Sequence, residues 1–245
     1  MKILAIETAT DACSVALYLD GEYRANHEVA PRQHAEMLLS RIKRLLSDAA
    51  LSLNALDALA FGRGPGAFTG IRIGTGVIQG LAFGADLPVV PVSSLQAMAQ
   101  GAWRECGERS VLVAFDARMG EVYWGAYRID NTDRTPSGMA VPVVDECVCA
   151  PEKISLPEGV YGDWFGTGDG WETYGEVLRR ELEQRSDGER VFYRLTDMEL
   201  GRYPHAWDVA ALAVEAMGQG GVAIPAEQAQ PVYLRNQVVR KQNRR

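Results

Sequence analysis

One pattern occurs twice in this 245-residue chain and restricts the fold more than any other. A short apolar run, Ile3 to Ile6, ends at Glu7-Thr8, and extended segments follow at Cys13 to Leu19 and Glu22 to Val29, joined by the turn pair Asp20-Gly21. Asp-Gly between two such segments favours a type I′ hairpin, because both central residues need positive φ. Val111 to Phe115 is again an apolar run ending in an acid, Asp116, and Glu121 to Ile129 returns as a strand. Helical segments follow each opening. The duplication predicts an α/β chain of two lobes, each with a mixed sheet. The lobes are placed at 1–105 and 106–245, the second with a helix from Val209 to Met217, capped by Asp208, that returns to pack on the lobes.

A strand that ends in an acid and continues into a hairpin suggests the two-lobed actin-like architecture, in which paired hairpins grip ATP phosphates between lobes. A working cradle needs glycine in each turn, so that backbone N–H groups approach phosphate. Here Glu7-Thr8-Ala9-Thr10 has no glycine, and Asp116-Ala117-Arg118-Met119-Gly120 has one, late in the turn. Glu7 and Asp116 are weak candidates for metal or water ligands, against the alternative that acids at strand ends cap loops. No cofactor is expected.

Composition excludes other classes. A chain 47% hydrophobic and 23% charged can bury ordinary globular cores. No apolar run approaches the roughly twenty residues that span a bilayer, and Glu7 interrupts the opening too early for a signal-peptide core, so a cytoplasmic protein is expected. Cys13, Cys106, Cys147 and Cys149 contain no C-x-x-C pair, which disfavours zinc and structural disulfides. Cys147 and Cys149 occupy alternate positions of a strand and face the same side. The formal charge is −7, yet the last eleven residues, RNQVVRKQNRR, hold five basic side chains and no acid. Arg235, Arg240, Lys241, Arg244 and Arg245 are therefore candidates for contact with a polyanion held by a partner, or else form a solvated end.

GRGPGAFTGIRIGTGVIQGLAFG, residues 62–84, concentrates eight of twenty-five glycines. It lacks the lysine and spacing of a P-loop, and its glycines miss the dinucleotide fingerprint. Gly62 to Gly66 reads as a turn after the apolar segment Leu56 to Phe61, with a helix starting near Phe68-Thr69 and Thr69 as N-cap. Arg72, Thr75 and Gln79 fall on one polar face, while Ile73, Val77 and Leu81 lie opposite with Gly70, Gly74, Gly80 and Gly84 interleaved on that one face. Interior glycine costs up to about 1 kcal/mol relative to alanine, so close backbone approach is expected, to this chain's own sheet or to another helix. The preceding helix, about Gln33 to Ala50, has an apolar arc containing Leu38, Leu39, Leu45 and Leu46, wide enough for a core edge and a second surface. Farther on, Gly166 to Gly170 reads as the joint between a strand and a helix through Glu176 to Leu182.

IETATDACSVAL, GRGPGAFTGIRIGTGVIQGLAFGADLPVVPVSSLQAMA, FDARMGEVYWGAY and PVYLRNQV resemble the TsaB (YeaZ) family across nearly the whole chain. The resemblance implies a non-catalytic subunit that binds and activates a larger paralogue, TsaD, with the ATPase TsaE as third component. That complex forms threonylcarbamoyladenosine beside the tRNA anticodon. In the catalytic paralogue an H-x-x-x-H pair on the first helix holds the metal. This chain has His34 and Leu38 at those places, so no metal site is expected, and His34 reads as a surface or capping residue. The resemblance also implies a helix-bundle interface, used for homodimers in isolation, that points to Leu38, Leu39, Leu45, Leu46, Gly70, Ile73, Gly74 and Val77. An independent actin-like ATPase or kinase, and a metal-dependent peptidase, are the alternative readings, the latter without an H-E-x-x-H motif in support.

Overall fold

A computed structural model describes residues 1–130, 138–156, 162–184, 191–194, 202–220 and 223–235. The first sheet has the order β3 (Glu22–Val29), β2 (Ala12–Leu19), β1 (Lys2–Glu7), β4 (Ala58–Gly62), β5 (Val89–Val92). The second repeats that order as β8 (Met139–Pro142), β7 (Glu121–Asp130), β6 (Ser110–Arg118), β10 (Gly162–Thr167), β11 (Val191–Arg194), and β9 (Cys147–Cys149) pairs farther along β7. In each sheet the first strand pairs antiparallel with its hairpin partner and parallel with the strand on its other side: Leu4 faces Leu17 and Leu59, while Leu112 faces Ala126 and Gly166. The predicted duplication is thus present strand for strand. The Asp20-Gly21 turn has φ of 49° and 108°, as a primed turn requires.

Side-chain size decides which helix covers which face. In the first sheet Leu4, Ile6, Val15, Leu17, Leu59 and Phe61 point one way, into a cluster with α1 (His34–Asp48) and α2 (Phe68–Ala85). The alternate positions carry Ala5, Ala16, Ala58 and Ala60, which bring α5 (Ala206–Gly218) close through its own Ala206, Ala210 and Ala213. In the second sheet Val111, Val113 and Phe115 meet α3 (Ser94–Cys106), and Leu112, Ala114 and Trp124 meet α4 (Asp169–Gln184). Packing therefore crosses residue 105 in both directions: α3 covers the second sheet, and α5 covers the first.

Residues 223–235 form a strap over the first lobe. Ile224 bridges to Val89, the Gln79 amide donates to the Ala229 carbonyl (2.6 Å), and Val232 N–H donates to Arg63 O (2.8 Å). The polar stripe of α2 faces this strap rather than open water. Two local expectations need correction. Thr69 is not the cap of α2, which begins from Ala67 without a side-chain bond, its N–H given to Ala9 O at 2.7 Å. Asp208 lies inside α5, where His205 Nδ1 caps by accepting from Trp207 N–H, and its buried carboxylate instead takes two 2.8 Å bonds from Arg104 of α3.

Candidate partner surface and interlobe cleft

The glycine-rich segment wraps the end of β1. A Cβ built on Gly62 would lie 1.9 Å from Glu7 Oε2, one on Gly66 2.3 Å from Ala9 O, one on Gly70 2.0 Å from Thr8 O, and one on Gly74 2.4 Å from Thr8 Oγ1. Thr8 Oγ1 donates to Gly70 O at 2.9 Å, locking α2 against the strand end. Close approach is thus what these glycines provide, and it is made to Glu7, Thr8 and Ala9 of this chain, backbone for Gly66 and Gly70 and side chain for Gly62 and Gly74. Gly70 and Gly74, expected on a partner face, are filled by Thr8 and offer no surface. Gly76, Gly80 and Gly84 have open space where a side chain would stand. Beside them Phe83 is 83% exposed, and Ile73 and Val77 are half-buried against the first core.

On α1, Leu38, Leu45 and Leu46 belong to the core, whereas Leu39 is 53% exposed. Among those four only Leu39 lies on the outside. His34 is buried rather than superficial, and its Nε2 donates to Ala12 O at 3.1 Å. The sequence reading missed Gly76 and Phe83. The signal available was the glycine spacing, which runs 62, 66, 70, 74 toward the sheet and 76, 80, 84 away from it.

A cavity of about 660 Å³ lies between the lobes at the carboxyl ends of β1 and β6. Glu7 does not line it: the carboxylate is 1% exposed, folded under the loop, and accepts from Ala9 N–H (2.6 Å) and Ser94 Oγ (2.7 Å). Burial raises its pKa to about 7 despite those donors. Asp116 does line the cavity, but Arg118 occupies both its oxygens, through N–H (2.7 Å) and Nη1 (2.8 Å). Asp116 N–H donates to Asp169 Oδ1 (3.0 Å), a neighbouring acid the sequence reading passed over as part of the glycine joint. Burial, with the Asp116 charge adding to it, pushes the Asp169 carboxyl upward. In that joint Gly168 has φ of 101°, and Gly170 rests on Ala114 O, so close packing fills the turn. Glu7 and Asp116, paired in the sequence, are therefore not brought to one ligand position. Among the described residues no group of three His, Cys, Asp or Glu side chains is arranged to hold a metal ion.

The strap closes one side of the cavity. Arg72 Nε donates to Tyr233 Oη at 2.7 Å, with the guanidinium 3.7 Å from the centre of the Phe68 ring. Arg235 crosses to the second lobe, donates to Ala117 O at 3.0 Å and pairs with Glu121. Its side chain is only 17% exposed, so its guanidinium is committed within the protein rather than free for a polyanion. Arg240, Lys241, Arg244 and Arg245 lie outside the described residues. None of the described helices is long and apolar enough to cross a membrane.

Two sheets of identical strand order, facing each other across a cleft at the ends of their first strands, define a two-lobed actin-like α/β protein. The family model described as TsaD, tRNA N6-adenosine threonylcarbamoyltransferase, matches residues 26–183. The tRNA threonylcarbamoyladenosine biosynthesis protein TsaB of Escherichia coli is 42% identical over 98% of this chain and 97% of its own length. That of Haemophilus influenzae is 39% identical over 98% and 96%. The solved structure of YeaZ from Pseudomonas aeruginosa superposes with a TM-score of 0.81 at 44% identity, covering 95% of this chain and 99% of that one. A second solved structure, described as an uncharacterized protein with similarity to peptidase YEAZ from the same organism, gives 0.82 at 44% identity, covering 96% and 99%. The chain belongs to the TsaB family.

Proposed function

We propose that this chain is a non-catalytic, cytoplasmic subunit that binds and activates a TsaD-type transferase in forming N6-threonylcarbamoyladenosine in tRNA, together with the ATPase TsaE. One observation carries the reading: the outer side of α2 is a side-chain-free strip, Gly76, Gly80 and Gly84, bordered by half-buried Ile73 and Val77 and by the exposed Phe83. Small residues at helical spacing let a second helix approach closely, and an exposed aromatic beside them supplies apolar area to bury. Leu39 on α1 is a second exposed apolar side chain. The same strip serves a homodimer in isolation, and Arg240, Lys241, Arg244 and Arg245 contact tRNA held by the assembled complex.

The committed acids support the non-catalytic part of the reading. Glu7 is enclosed by Gly62 and Ser94, and both oxygens of Asp116 are taken by Arg118. Size-exclusion chromatography of the chain with a TsaD paralogue tests the proposal. Co-elution in a defined ratio, lost for Phe83→Asp, is expected. Independent elution at micromolar concentration would contradict it.

A further inference from the structure

Cys147 and Cys149 lie outside everything assigned so far. They stand two residues apart on β9, so their side chains share one face, and their sulfurs are 3.9 Å apart and unbonded. Both are half-buried at the rim of the second-lobe cluster. Of the other thiols, Cys13 is sealed in the first core and Cys106 is exposed on α3. The two sulfurs differ in character. The hydrogen bond between the two thiols holds Cys147 below its ordinary pKa against the effect of burial, and holds Cys149 above its own. A thiolate beside a second thiol is the arrangement in which one sulfur attacks and the other resolves.

We propose that Cys147 and Cys149 form a hydroperoxide-responsive dithiol that closes to an intrastrand disulfide, with Cys147 attacking and Cys149 resolving. The Cys147 thiolate attacks one peroxide oxygen. An S–O bond forms, the O–O bond breaks, and the distal oxygen leaves with a proton as water. The Cys149 sulfur, giving up its proton, then attacks Cys147 Sγ. The S–S bond forms, the S–O bond breaks, and the second oxygen leaves as water. Two thiols lose two electrons and one hydrogen peroxide becomes two waters.

The fold sets the consequence. Extended residues two apart hold their Cα atoms about 6.6 Å apart, the long limit for a disulfide, and the sulfurs must close from 3.9 Å to about 2.05 Å. β9 therefore has to leave its extended pairing with β7, in which Cys149 faces Val122, Val148 faces Tyr123 and Cys147 faces Trp124. A three-residue strand bound along one flank gives this up at little cost. Tyr123, which lines the interlobe cavity, then loses its partner Val148 on one side and keeps Phe115 of β6 on the other.

The test uses the full chain carrying Cys106→Ser, titrated with hydrogen peroxide and mapped by non-reducing mass spectrometry. The expected result is a peptide lighter by two hydrogens, spanning both cysteines and restored by dithiothreitol, with faster amide exchange at Val122 to Trp124. Adding Cys149→Ser should stop the reaction at a Cys147 sulfenic acid trapped by dimedone. Adding Cys147→Ser should slow oxidation of the remaining thiol at least about tenfold. Persistent sulfenic acid in the chain that retains both cysteines, or equal rates with and without Cys147, would overturn the proposal.

Discussion

Gly74 faces Thr8 so closely that an added Cβ would stand 2.4 Å from the hydroxyl that bonds Gly70 O. The helix that contains the exposed glycine strip is seated on its own strand by glycines on its opposite side. Gly74→Leu should therefore lower the stability of the isolated chain, by about 1–3 kcal/mol for overpacking plus the lost Thr8 bond. Gly70→Ala should do at least as much, because its Cβ meets the Thr8 carbonyl oxygen, which is backbone. Chemical denaturation measures both. Unchanged midpoints would show that the contact yields.

The exposed strip behaves oppositely. Gly80→Leu places a side chain in open space and removes a helix-interior glycine, so the chain alone should be as stable or gain up to about 1 kcal/mol. Its association with a partner helix should fail, because the backbones can no longer approach. Melting followed by a binding titration separates the two effects. A stable variant that assembles normally would move the interface off this strip.

How far the sequence carries is clear from these positions. The duplicated strand, acid and hairpin are local signals, so the two mixed sheets were readable. Which helix covers which face was not, because α5 arrives on the first sheet from more than a hundred residues away. Helical spacing likewise grouped glycines without saying that 70 and 74 look inward and 76, 80 and 84 outward; that depends on where β1 lies. Asp208 resembled a cap because its buried partner, Arg104, stands 104 residues earlier. The tail arginine Arg235 looked free because Glu121 and Ala117 O are equally remote.

Glu7 gives a pH signature. Its folded-state pKa, raised by burial from 4.5 to about 7, means the folded chain holds a proton that the unfolded chain has released. Stability from this group is fully present below pH 4.5, is lost as pH rises through about 7, and is constant above. Glu7→Gln should be the more stable protein at pH about 8, by at most about 3 kcal/mol, with the difference shrinking toward pH about 4. Denaturation of both proteins across that range is the check. A difference that stays constant or grows as the solution is acidified would refute the assignment.

Arg235 and the residues after it separate in the same way. Removing residues 236–245 should leave the melting temperature unchanged and weaken tRNA binding by the assembled complex in a salt-dependent manner. Arg235→Ala should loosen the strap, accelerating amide exchange at Ala117 to Glu121 even without tRNA. Equal tRNA affinity with and without residues 236–245 at low salt would make the tail irrelevant to RNA.

Reconstitution of tRNA modification distinguishes an activating subunit from an enzyme and from a bystander. Threonylcarbamoyladenosine would be quantified in unmodified tRNA incubated with a threonylcarbamoyl donor and this chain alone, with a TsaD paralogue and TsaE, and with all three proteins. No product is expected from this chain alone, little without it, and turnover when all three are present that Gly80→Leu abolishes. Product formed by this chain alone, or turnover indifferent to its presence, would contradict the proposed role.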